Sequence, residues 1–215
     1  MAIAKIEVER FSVISSKPFE KVVEALKGSV GRLNVGELTK SSKSAGSFAD
    51  LEKLIGQNMG STGLMLFEEL DHGAVLRKES GLDKPKILRF LIGNPLVMKE
   101  MAKHVPDAGS YAPTTVLVDE RADGVHLSYD RMTSFLAPYG NAQALAVARD
   151  LDAKVERVLR EAAASWKNET SWRKEANHAH DRYVCCRGNV FRQALAGTRS
   201  RRSVGIDRHG CCRGE

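Results

Sequence analysis

The first 165 residues contain no cysteine and no tryptophan, so this stretch carries no redox signal of its own. No apolar run approaches the ~20 residues that a membrane-spanning helix needs. Met1 to Arg10 lacks an apolar core segment, which reads as no signal peptide and makes the cytoplasm the expected location. Gly-x-Gly-x-x-Gly, a Walker loop, Gly-x-Ser-x-Gly and His-Glu-x-x-His are all missing. Their absence argues against the commonest nucleotide-binding, hydrolase and zinc-protease classes. No complete catalytic set is visible, and no cofactor or metal is expected in this part of the chain.

What is present is a chain of 215 residues, 42% hydrophobic, with a formal net charge of +6. The mean hydropathy of −0.30 is that of a soluble globular protein. The charge is unevenly placed. Residues 1–165 hold 22 basic and 22 acidic side chains, whereas the last 50 residues hold 11 and 5. The C-terminal stretch thus carries the whole excess, together with Cys185, Cys186, Cys211, Cys212, Trp166 and Trp172. The composition predicts one domain over 1–165 and a disordered basic tail over 166–215, because low apolar periodicity cannot offset chain entropy. Two other readings of the tail are weaker. Cys185-Cys186 and Cys211-Cys212 with His178, His180 and His209 supply enough zinc ligands but at poor spacing. Arg199, Arg201, Arg202 and Arg208 predict only weak, salt-sensitive RNA binding.

Along the body, Ile3 to Ile14 reads as a strand whose alternation changes phase near Arg10, as a bulge would cause. A helix is expected from Pro18, with Phe19, Val22, Val23, Leu26, Val30 and Leu33 on one stripe. Residues 36–47 are rich in Ser, Lys and Gly and read as a loop. Phe48 to Asn58 reads as a helix and Gly60 to Gly63 as a break. Leu64 to Leu70 reads as a strand, apolar on both faces and so buried between layers. Ile87 to Ile92 is a strand stopped by Gly93-Asn94-Pro95, where Asn94 suits an N-cap and Pro95 a first helical position. Met98, Met101, Ala102 and Val105 form the buried face of the helix that follows.

Thr114–Val118 and Val125–Tyr129 form a hairpin expected to turn at Asp123-Gly124. That register pairs Val118 with Tyr129 and Glu120 with Leu127. A last helix starts near Asn141 and buries Ala148, Leu151, Val155, Val158 and Ala162. The pairs Asp150–Lys154, Glu156–Arg160 and Arg157–Glu161 support its exposed side. This order fits an α+β fold, a mainly antiparallel sheet with helices covering one face.

Leu70-Asp71-His72, the run Phe90 to Pro95, Met98, Met101 and the closing Leu127-Ser128-Tyr129 resemble the domain of unknown function 302 family over roughly residues 5–140. The resemblance implies a β-α-β(4)-α fold similar to the TATA-box-binding protein, and a homodimer. It implies no reaction. The chain departs from the family pattern in an insertion around 39–62, in a short segment after His72, and at Tyr111-Ala112-Pro113.

Four residues are candidates for a ligand site. His72 follows a strand, where an imidazole can act as base or hydrogen-bond donor. Asn94 stands at a helix N-terminus able to hold an anion. Glu120 falls on the same, mainly apolar face as Tyr129. The favoured reading is a small-ligand-binding or sensor domain using His72, Asn94, Glu120 and Tyr129. The alternative is an enzyme with Glu120 or His72 as general base. His126 falls on the opposite face and is expected to be solvated.

Overall fold

The computed structural model describes residues 5–164. The expectations for 166–215 lie outside the described residues. The elements run β1 (Arg10–Ser15), α1 (Phe19–Ser29), β2 (Gly31–Arg32), α2 (Val35–Ser44), α3 (Phe48–Asn58), β3 (Met65–Asp71), α4 (Gly73–Ser80), β4 (Ile87–Gly93), α5 (Pro95–Ala102), β5 (Thr114–Arg121), β6 (Gly124–Asp130), α6 (Met132–Leu136) and α7 (Ala142–Ala163). The six strands form one sheet in the order β1-β6-β5-β4-β3-β2. Only the short β2–β3 pairing is parallel, so the fold is α+β with a mainly antiparallel sheet.

The larger core lies on one face. Phe19, Val22 and Leu26 of α1, Met101 of α5 and Ala148, Leu151, Val155 and Val158 of α7 close over Phe90, Ile92, Val116, Val118 and Leu127. The expected stripe of α1 is correct in composition, but the helix ends at Ser29 and Val30 is already extended. The opposite face is also covered, at one end. There Leu33, Ile55, Met65 and Phe67 form a second cluster, flanked by Leu38, Leu51 and Leu91. The sheet is therefore layered on both sides at β3, as the two-sided apolarity of that strand implies. Helices on one face only is the part of the expectation that fails.

Three other local expectations are corrected. The phase change near Arg10 is the start of β1, whose pairing with β6 runs without a break from Arg10↔Asp130 to Ser15↔Val125. Residues 36–47 are largely helical, not a loop. Asn34 caps α2 by accepting the Gly36 N–H at 2.7 Å. That helix buries no residue, so it leaves no apolar periodicity to detect. The hairpin turns at Ala122-Asp123 rather than Asp123-Gly124, which pairs Val118 with Leu127 and Glu120 with Val125. Gly124 serves a different need. A Cβ there would lie 2.7 Å from the Ser15 carbonyl oxygen of β1.

A close backbone crossing joins α1 and α3 to the edge of the sheet. A Cβ on Gly31 would lie 1.8 Å from the Asn58 carbonyl oxygen, and one on Gly60 would lie 2.4 Å from the Gly31 nitrogen. The obstacles are backbone atoms, which cannot rotate away. Gly31→Ala is expected to lower stability by at least about 2 kcal/mol, the scale of a severe overpacking. Ala replacing the exposed Gly56 of α3, where a Cβ would meet nothing within 4 Å, is the control and should not lower stability. Urea midpoints of the two variants check this.

Candidate functional site

β3 holds one residue more than its partner. Leu66 pairs with Ile92 and Glu68 with Leu91, so Phe67 has no partner of its own. Such a bulge shifts the phase of everything after it. Leu66 belongs to the larger core and Phe67 to the smaller one. Strict alternation from Leu66 would next aim Glu68 and Leu70 at the α1 side. The bulge aims Glu69 and Asp71 there instead, opposite Phe90 and Leu88.

These two carboxylates line a cleft of about 740 Å³ between α1, the β2–β3–β4 edge and α4. Phe19, Val23, Ile87 and Leu88 supply its apolar lining. Its polar lining is built from ion pairs. Lys27 of α1 meets Glu69 at 2.5 Å, Arg77 of α4 meets Asp71 at 2.7 Å, and Lys86 pairs with Glu20. The Arg77 guanidinium holds Asp71 below the usual carboxylate range, chiefly through its hydrogen bond. Lys86 does the same to Glu20. Asp71 and Glu20 are therefore ionised at neutral pH. Arg32 of β2, also in the lining, has no carboxylate partner among the described residues.

The four sequence candidates are not brought together. Asp71, beside His72, pairs with Leu88, whereas Gly93, beside Asn94, pairs with Met65. His72 and Asn94 therefore leave opposite ends of the β3–β4 ladder, separated by about 20 Å of strand. His72 is exposed at the start of α4 and makes no capping bond. Asp71 does that work by accepting the Ala74 N–H. Asn94 is spent on structure: its Oδ1 accepts the Leu96 N–H at 2.8 Å, and its amide donates to the Gly63 carbonyl at 2.9 Å.

Glu120 sits on β5 at the His72 end, two strands away. Its Oε2 is buried without a hydrogen bond, and Lys84 approaches to 3.4 Å at an angle too poor for one. His126 is not solvated as expected. Its side chain is 12% exposed and its Nε2 lies 2.8 Å from Asp123 Oδ1.

Tyr129 is buried near the end of β6, one strand in from the β1 edge. Its hydroxyl donates to Asp152 of α7 at 2.6 Å. Asp152 also accepts the backbone N–H groups of Met132 and Thr133, at 2.8 and 3.1 Å, and the Thr133 hydroxyl at 2.6 Å. It therefore caps α6 from outside. One turn on, Glu156 binds Arg131 at 2.6 Å and Arg160 at 2.8 Å. Glu156 is itself buried, so the Glu156–Arg160 pair is no surface support. The pairs expected at 150–154 and 157–161 do not form. Asp152 was not singled out from the sequence, and Glu156 only as half of an exposed pair with Arg160. Their only signal is a carboxylate repeated at i, i+4 beside an apolar seam.

The chain matches the family described as "Domain of unknown function DUF302" over residues 38–162. It belongs to that family. The DUF302 match begins later and ends later than the motifs suggested, and it takes in α3 and α7. The reason is physical: without α7 the larger core and the Tyr129 hydroxyl would face water. A crystal structure of an uncharacterized conserved DUF302 protein from Bacillus stearothermophilus is similar to this one. The two are 14% identical with a TM-score of 0.50, over 71% of this chain and 97% of that one. That likeness concerns the fold alone. No curated protein matches the chain.

Asp152→Ala takes the acceptor from the buried Tyr129 hydroxyl and the Thr133 N–H and leaves the Met132 N–H only its longer bond to Tyr129 Oη, which is expected to cost about 3–5 kcal/mol, with Tyr129→Phe costing about 1 kcal/mol. Burial, then the Asp152 carboxylate, push the Tyr129 phenol above its ordinary value. A raised folded-state pKa means full stability below about pH 10, where the unfolded phenol titrates, and loss above it. Denaturant curves between about pH 9 and 11 should show a steeper decline for the wild type than for Tyr129→Phe.

Proposed function

We propose that this DUF302 domain binds a small polar ligand bearing an anionic group, a carboxylate or a phosphate, in the cleft between α1 and the bulged β3. The observation that carries the proposal is Arg32. The other three cations of the cleft are each held by a carboxylate, whereas Arg32 lines the same cleft without one. A guanidinium left in this state offers a planar pair of donors to an oxyanion. The apolar lining adds contact area for the rest of the ligand. Fixed charges suit recognition rather than proton transfer, which favours a binding or sensing role over catalysis. The catalytic alternative rests on Glu120 and its unbonded Oε2, but Glu120 lies outside the lining of the cleft.

The homodimer belongs to the same proposal. Among the described residues β1 ends the sheet with one edge of its backbone unpaired, and its Ile14 is 55% exposed. An open edge of this kind is a template for pairing with another chain.

A panel of dicarboxylates and phosphate monoesters, read by thermal shift on the full chain, tests the binding site. At least one compound should raise the Tm saturably. Arg32→Ala should weaken that compound at least about tenfold, the loss of one charge-assisted bidentate contact. His72→Ala should leave it unchanged. A shift that survives Arg32→Ala, or no shift at all, overturns the proposal.

A further inference from the structure

A second cavity lies at the other end of the sheet, where β4 leaves at Gly93 and β5 enters at Thr114. It has a volume of about 150 Å³ and an almost wholly apolar lining. Leu38 of α2 and Phe67 of the bulge wall one side, and Met98, Met101 and Leu151 the other. It thus sits where the two hydrophobic clusters meet.

Two polar side chains reach its wall, and neither is free. The Thr114 hydroxyl donates to the Ile92 carbonyl at 2.7 Å. Asn94 uses its oxygen on Leu96 and its amide on Gly63. A water molecule in the cavity would need two or more polar partners, and both of these side chains are already bonded within the protein, so the site favours an apolar occupant. Left empty, the lining forgoes dispersion contacts on its inner side. We infer that the cavity is a binding site for an uncharged apolar molecule of about one ring, an aromatic or branched aliphatic group. A cavity of about this volume with an apolar wall accepts such a ligand.

The cavity is already partly open to solvent, and its wall is most lightly held at α2. α2 buries no residue of its own, and Val35, which lines the cavity, is 44% exposed. An element so lightly held opens at low free-energy cost. The site is separate from the charged cleft and rests on different residues.

Toluene is the probe. Titrated into the full chain, it should raise the Tm saturably and shift the methyl resonances of Leu38, Met98 and Met101. Gly93→Ala places a methyl 3.5 Å from both the Phe67 ring and the Pro113 side chain, an ordinary contact that the fold accepts. That variant should weaken toluene at least fivefold (~5-fold or more) by filling part of the space. Leu38→Phe narrows the cavity from the exposed helix and should act in the same direction. Arg32→Ala should leave toluene binding unchanged. The inference is overturned if toluene gives no saturable shift, or if a folded Gly93→Ala or Leu38→Phe variant binds it as the wild type does.

Discussion

One extra residue in β3 decides what the two faces of this sheet can do. Before Phe67 the strand alternates between two cores, with Leu64 and Leu66 in the larger and Met65 and Phe67 in the smaller. After it the phase is reversed, and Glu69 and Asp71 face α1 across from Phe90 and Leu88. A regular strand would have aimed Leu70 there and closed the larger core further along β4. The bulge instead ends that core early and opens a charged cleft at its margin. It also places the Phe67 ring at the other end, where it walls the apolar cavity.

Two ion pairs of the cleft follow from that reversal. Lys27 and Glu20 stand on the exposed side of α1, Arg77 on α4 and Lys86 just before β4. Lys27–Glu69 joins α1 to β3 and Arg77–Asp71 joins α4 to β3, so these two depend on the reversed phase, whereas Lys86–Glu20 joins the start of β4 to α1. Surface pairs of this sort contribute about 1 kcal/mol or less each, so their role is to fix charge geometry more than to hold the fold. The fold is held elsewhere. α7 packs against α1, α5, α6 and the strands β1 and β6. Its most deeply buried polar contact, Asp152 with Tyr129 and the α6 N-terminus, fixes how the helix sits on the sheet. An unpaired carboxylate there would be costly, so the contact constrains the packing that it joins.

The helices that could be read from the sequence are those with one buried face. α1, α3, α5 and α7 each repeat apolar residues at the helical period, β4 shows as an apolar run stopped by Gly93-Asn94-Pro95, and their bounds come out within a few residues. α2 was missed because burial, not helical geometry, is what periodicity reports, and α2 buries nothing. The bulge was hidden for the opposite reason. A strand apolar on both faces shows no alternation, so a slip of one residue leaves no trace. The turn rule failed at Gly124 because that glycine is required by the approach of β1, a contact with residues more than a hundred positions away. The candidate site failed in the same way. His72 and Asn94 end successive strands and look equivalent in sequence, but successive antiparallel strands end on opposite sides of the sheet.

The two pockets impose opposite demands, and the sequence meets them with different residue classes. The cleft is lined by three ion pairs together with Arg32 and Asp83, neither of which has an ion-pair partner among the described residues, so its selectivity is electrostatic. The cavity is lined by Met, Leu and Phe, with its polar groups already bonded, so its selectivity is by volume and polarity. Methionines at 98 and 101 suit that role, since an unbranched thioether adapts to the shape of what it touches. Their spacing of three residues turns both toward the cavity from one helix. A helix held only to fill the core would do equally well with leucine at both positions, whereas a wall that must conform to an occupant favours the flexible side chain.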